Sequence, residues 1–106
     1  MNIYSVDRKK WAALGVFEQM GNIGSEVGRS LLAKRKGDEQ SAQAAVARAI
    51  DLFDATTEAW LAASPPRTKE LLRAKEQYLE AYSDSTTDNG IENYFMQFAI
   101  ASRLVR

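Results

Sequence analysis

Met20-Gly21-Asn22-Ile23-Gly24-Ser25-Glu26-Val27-Gly28-Arg29-Ser30-Leu31-Leu32 is the stretch whose reading decides the fold of this chain. Three glycines sit inside a sequence that otherwise follows helical periodicity. At roughly 100° per residue, Ala13, Phe17, Met20, Ile23, Gly24, Val27, Gly28 and Leu31 gather on one side, which reads as the buried one. Asn22, Glu26 and Arg29 fall within about 60° of one another on the opposite side, as a compact polar stripe. A glycine costs about 1 kcal/mol relative to alanine in a helix interior, so Gly21, Gly24 and Gly28 together weaken an isolated helix by about 3 kcal/mol. Close packing against a neighbouring helix is the expected compensation.

Working outward, the pattern extends back through Met20, Phe17, Leu14 and Trp11. It runs forward to Lys34-Arg35-Lys36-Gly37, where cations match the negative helix end and glycine supplies a left-handed terminating residue. This predicts one long helix over 6–36, with Ser5 as N-cap and Asp7 in the first turn. A break near Gly21-Asn22, giving two shorter helices, is the alternative. Asp38 then caps a second, alanine-rich helix over about 39–63, with small residues from Ala42 to Ala49 and bulky ones beyond. Small faces allow close approach, so this alanine face is the expected partner of Gly24 and Gly28. Ser64-Pro65-Pro66 marks a boundary, because the residue before proline is pushed out of helical geometry while proline suits the first turn that follows. A third helix follows over about 65–82. Ser83-Asp84-Ser85-Thr86-Thr87-Asp88-Asn89-Gly90 is a loop of turn and cap residues.

The last helix, about 90–104, is apolar nearly all round, through Ile91, Tyr94, Phe95, Met96, Phe98, Ile100 and Leu104. Such a helix is central in its own domain or covered by another chain, and in a four-helix bundle no helix is wrapped on every side. Tyr94, Met96, Ile100 and Leu104 are therefore the candidate homodimer surface. The competing account has Ile3-Tyr4 and Trp11 covering Met96, Ile100 and Leu104. The whole predicts an all-α fold, a single 1–106 domain built as a four-helix antiparallel bundle in up-down-up-down order with a long first helix.

Composition narrows the chemistry. The 106 residues fit one core. Basic and acidic side chains balance at 14 each, so no global field attracts a polyanion or an anionic membrane. Locally the charge is polarised: residues 1–36 carry seven basic and three acidic side chains, and residues 37–64 one basic and five acidic. A basic helix packing beside an acidic one accounts for this; a basic patch for nucleic acid is the alternative. Cysteine and histidine are both absent, which removes disulfides, thiolate nucleophiles, the usual zinc sites and histidine acid–base catalysis. A small cysteine-free chain suits the cytoplasm. No window approaches the roughly 18 uninterrupted apolar residues of a membrane span, and the N-terminal residues do not read as a signal peptide.

Gly24-Ser25-Glu26-Val27-Gly28-Arg29-Ser30 falls short of a phosphate-binding loop, with three residues between the glycines instead of four, arginine in place of lysine and no preceding strand. Asn22, Glu26 and Arg29 form a candidate ligand site, since arginine grips carboxylate or phosphate bidentately. Equally, Glu26 and Arg29 make an ordinary i, i+3 ion pair worth a few tenths of a kcal/mol. Glu18 and Glu26 lack the histidines of a di-iron bundle. No metal or cofactor is implied. Lys34-Arg35-Lys36 and Arg8-Lys9-Lys10 lie about 40 Å apart along one helix, and make no common nucleic-acid patch unless a dimer joins them.

The segment Gly21 to Arg29, the Lys36-Gly37 turn, the Ala47-Arg48-Ala49-Ile50-Asp51-Leu52 run, Lys69-Glu70-Leu71-Leu72-Arg73 and the aromatic Tyr94 to Ala101 helix resemble a family of short uncharacterised prokaryotic all-helical proteins. That resemblance implies the helical fold and carries no activity. More loosely, the bundle is similar to helical partners in two-component toxin and nucleotidyltransferase systems, although the histidine of the ribonuclease motif in one such group has no counterpart here. The expected function is a non-enzymatic protein–protein interaction module, homodimeric or bound to a protein partner. Small-ligand or phosphate binding through Asn22, Glu26 and Arg29 is the second reading, conceivably enzymatic, and a nucleic-acid accessory role the third.

Overall fold

Each helix boundary is set by a local signal. In the computed structural model, which describes residues 5–84 and 86–104, the elements are α1 (Arg8–Ala12), α2 (Val16–Arg35), α3 (Glu39–Trp60), α4 (Pro65–Ser83) and α5 (Ile91–Leu104), with no strand among the described residues. Asp7 caps α1 by accepting from the Lys10 amide at 3.0 Å, and Asp38 caps α3 by accepting from the Ser41 amide at 3.1 Å. Gly37 and Gly90 take positive φ, 79° and 75°, which an L side chain rarely adopts. Pro65 and Pro66 occupy the first two positions of α4, where the missing amide hydrogens cost nothing.

The long first helix is corrected at its N-terminal end. The chain leaves α1 at Ala13, and Gly15 lies extended at φ −70°, ψ 160° as the cap of α2. Asp7, not Ser5, is the first cap. From Val16 to Arg35 the helix is continuous, so no break falls at Gly21-Asn22. The turn at 13–15 frees Trp11 from the direction of α2, and its indole points to α3, donating to Thr56 Oγ1 at 2.8 Å.

The core forms where α2, α3, α4 and α5 converge. Ile23 and Val27 from α2, Phe53 from α3 and Tyr78 from α4 are fully enclosed. Phe53 lies at the aromatic centre, stacked on Tyr78 at 6.0 Å and edge-on to Phe95 at 5.9 Å. Such aromatic pairs add about 0.5–1.5 kcal/mol each beyond their buried area. α2 packs most extensively of all, against α3 on one flank and α5 on the other, while α1 lies on α3.

Candidate functional site

Among the described residues Glu26 is the best-buried charged one, 8% exposed, at the edge of the α2–α3 contact. Its Oε1 accepts from Arg29 on the next turn of α2, and its Oε2 accepts from Arg48 Nε of α3 at 2.7 Å. Arg29 remains largely in solvent, whereas Arg48 is partly covered. Both carboxylate oxygens are engaged within the protein. Beside this pair, Ser30 Oγ lies 2.8 Å from the Val27 carbonyl and shares a 2.6 Å hydrogen bond with the Tyr78 hydroxyl, in which either oxygen can donate. Burial pushes the Tyr78 hydroxyl up to about 12, opposed by the Ser30 hydrogen bond.

The sequence-predicted stripe is thus divided. Glu26 and Arg29 are together, with Arg48 as a third member that periodicity on one helix does not reveal. The polarised charge was the available signal: the one basic side chain of residues 37–64 meets one of the three acidic side chains of residues 1–36. Asn22 is exposed and lines a different feature, a shallow cavity of about 800 Å³ whose walls include Glu18, Ser25, Arg67, Ser102 and Arg103. Arg67 and Arg103 have no carboxylate within 4.0 Å among the described residues, unlike Arg8, Arg29, Arg35 and Arg48.

A second polar cluster went unread in the sequence. Gln19, 2% exposed, donates from Nε2 to the Trp11 carbonyl at 3.0 Å and accepts at Oε1 from Trp60 Nε1 at 3.0 Å. It ties α1, α2 and α3 together at one point. Only its place on a helix flank that also carries Ile23 and Ser30 hinted at burial. No buried side-chain nitrogen or oxygen among the described residues lacks a partner.

The glycines also find a different neighbour from the one expected. A Cβ built on Gly24 would lie 2.7 Å from Phe95 Cβ, and the three atoms nearest it all belong to Phe95. Gly21 faces the Ala99 backbone at 3.8 Å. A Cβ added at Gly28 would meet nothing within 4 Å. A side chain at position 24 or 21 would therefore point at α5, while one at position 28 would enter open space. Ala42, Ala45 and Ala49 are buried.

On α5, Met96, Ile100 and Leu104 stand 57%, 49% and 79% exposed along one stripe. Trp11 does not cover them, being buried on α3; Ile3 and Tyr4 lie outside the described residues. Tyr94 is turned away from this stripe. Its ring packs edge-on to Phe95 and Phe98 at 5.2 and 5.3 Å, and its hydroxyl donates to Glu70 at 3.1 Å. Burial and the Glu70 carboxylate push that hydroxyl up to about 12.

The basic ends of the first segment are partly spent on internal contacts. Arg8 pairs with Asp51 at 2.8 Å and Glu58 at 3.3 Å. Lys34 donates to the Tyr82 carbonyl and stands 4.2 Å from the centre of its ring, and Arg35 pairs with Glu92 at 3.0 Å. No group of three acidic side chains that could hold a metal occurs among the described residues, and none of their helices is long and apolar enough to cross a membrane. These features define an all-α protein whose buried polar groups are matched internally and whose last helix leaves an apolar face open. No family model, no curated protein and no solved structure matches the chain.

Proposed function

We propose that this chain is a non-enzymatic protein–protein interaction module that works through the outer face of α5. The observation carrying the reading is the contrast between a satisfied polar interior and three large apolar side chains left in solvent on consecutive turns of one helix. Together Met96, Ile100 and Leu104 expose on the order of 300 Å² of apolar surface, the size at which a patch on a monomer tends to be functional. The reading takes α2 to α5 as an antiparallel four-helix bundle, supported by the short connections between them, and retains the resemblance to short prokaryotic helical proteins. It places the protein in the cytoplasm, in keeping with a cysteine-free sequence. The test is a photoreactive benzoylphenylalanine at position 96, irradiated in the native host. A specific protein adduct, absent with the same probe at the exposed position 76 on α4, is the expected result; no adduct refutes the reading.

A small anion in the Asn22 cavity is the second reading, favoured by the two arginines without a carboxylate partner among the described residues. Amide shifts at Asn22, Ser25 and Ser102 on titration with inorganic phosphate, lost in Arg67→Ala, are its signature. Glu26 has no place in such a site, since two arginines already take its oxygens.

A further inference from the structure

The open face of α5 has a pattern along its length as well as a composition. Around the helix, the buried residues Ile91 and Phe95 and the half-buried Tyr94, Phe98, Ala99, Ala101 and Ser102 occupy one arc, and the remainder face solvent. At 100° per residue, Ile100 lies at the middle of the exposed arc with Met96 and Leu104 within about 40° of it. Glu92 and Arg103 lie within about 20° of each other on one rim, at opposite ends of the helix. A two-fold axis perpendicular to a helix keeps each rim on its own side and reverses the ends. A face with acid at one end of a rim and base at the other is thus complementary to its own antiparallel copy.

Resting on the reading of α5 as the interaction face, we infer that the partner is a second copy of this chain, docked antiparallel about an axis level with residue 98. In that register Met96 packs against the partner's Ile100, and Ile100 against the partner's Met96. Leu104 covers the first turn of the partner's α5. Glu92 comes within one residue's rise, about 1.5 Å along the axis, of the partner's Arg103. Glu92 already holds Arg35 at 3.0 Å and is 45% exposed, leaving its second oxygen for another guanidinium, the arrangement Glu26 adopts with Arg29 and Arg48. With a formal net charge of zero, no overall repulsion opposes pairing. The apolar stripes of two copies with their polar rims bury about 1,000 Å² in total, at the low end of specific interfaces, the size of weak and transient ones.

Sedimentation equilibrium from about 5 to 500 µM is expected to show a monomer–dimer equilibrium. Ile100→Glu places two carboxylates near the axis and weakens it at least about 100-fold, with the circular dichroism of the folded chain unchanged. A monomer throughout, or a dimer indifferent to Ile100→Glu, overturns the inference. Because the chain has no cysteine, orientation is read directly by mixing the single variants Glu92→Cys and Arg103→Cys under mild oxidation. The 92–103 mixed disulfide should exceed both symmetric ones; dominant 92–92 and 103–103 products refute the antiparallel register. The benzoylphenylalanine probe at position 96 separates the two levels: an adduct of two copies supports both, an adduct with a different protein overturns self-pairing and leaves the interaction module, and no adduct overturns both.

Discussion

Gly24 and Gly28 are one helical turn apart on the same flank of α2, and replacing each by alanine should move stability in opposite directions. At Gly28 the added methyl meets nothing within 4 Å, so the change removes backbone freedom from the unfolded chain at no steric expense and stabilises by up to about 1 kcal/mol. At Gly24 the same gain is overridden. The new Cβ lies 2.7 Å from Phe95 Cβ, an atom that moves only with the backbone of α5, and 3.3 Å from its Cγ. Overpacking of this kind costs typically about 1–3 kcal/mol, leaving a net loss of up to about 2 kcal/mol after the helix-propensity gain. At roughly 4 °C per kcal/mol for a domain of this size, Gly24→Ala melts up to about 8 °C below the parent and Gly28→Ala up to about 4 °C above it. Gly21→Ala, whose methyl would make an ordinary 3.8 Å contact with Ala99 Cα, follows Gly28 in sign. Urea denaturation followed by circular dichroism gives all three. Trimming Phe95 to alanine in the Gly24→Ala background removes Cγ but keeps Cβ, so it should not rescue. Equal signs at positions 24 and 28, or rescue by Phe95→Ala, would refute the claim that backbone approach of α5 fixes this glycine.

The Glu26 cluster should respond asymmetrically. Arg29→Ala removes a largely exposed partner and costs a few tenths of a kcal/mol, whereas Glu26→Gln leaves the half-covered Arg48 without its carboxylate and costs about 1–2 kcal/mol by urea denaturation. Gln19→Leu orphans the Trp60 indole N–H and leaves the Trp11 carbonyl with only its backbone donor from Leu14, costing about 1–3 kcal/mol, and tryptophan emission should move to the red as α1 loosens from α3. Tyr78 and Tyr94 both titrate near 12 when folded against about 10 unfolded. Their neutral forms favour the fold, so this stability is complete below pH 10 and is lost as pH rises from 10 to 12; the urea midpoint should fall across that window, less steeply in Tyr78→Phe.

The parts of the fold legible in the sequence are those fixed by a chemistry confined to a few neighbouring residues. Gly37, Asp38, Pro65, Pro66 and Gly90 each impose one backbone geometry, and the boundaries they mark agree with the helices to within a few residues. Gly15 is equally decisive for the structure but was hidden, because Trp11, Leu14, Phe17 and Met20 keep a spacing of three across it and so mimic one continuous helix. Packing partners were harder to reach for a different reason. A helical wheel assigns one buried side, and α2 has neighbours on two. Gly24 and Glu26 are about 160° apart around its axis, one against α5 and the other at the edge of α3, so the residue read as the outermost charge sits at an interface. The helix wrapped by its neighbours is therefore α2, although α5 carries the more apolar sequence. That reversal bears on function. Most apolar side chains of α2 are explained by what touches them within this chain, with Phe17 and Leu32 left exposed singly, whereas Met96, Ile100 and Leu104 stand exposed together along one stripe of α5, and hydrophobicity without an internal partner is the physical trace an intermolecular contact would leave in one chain.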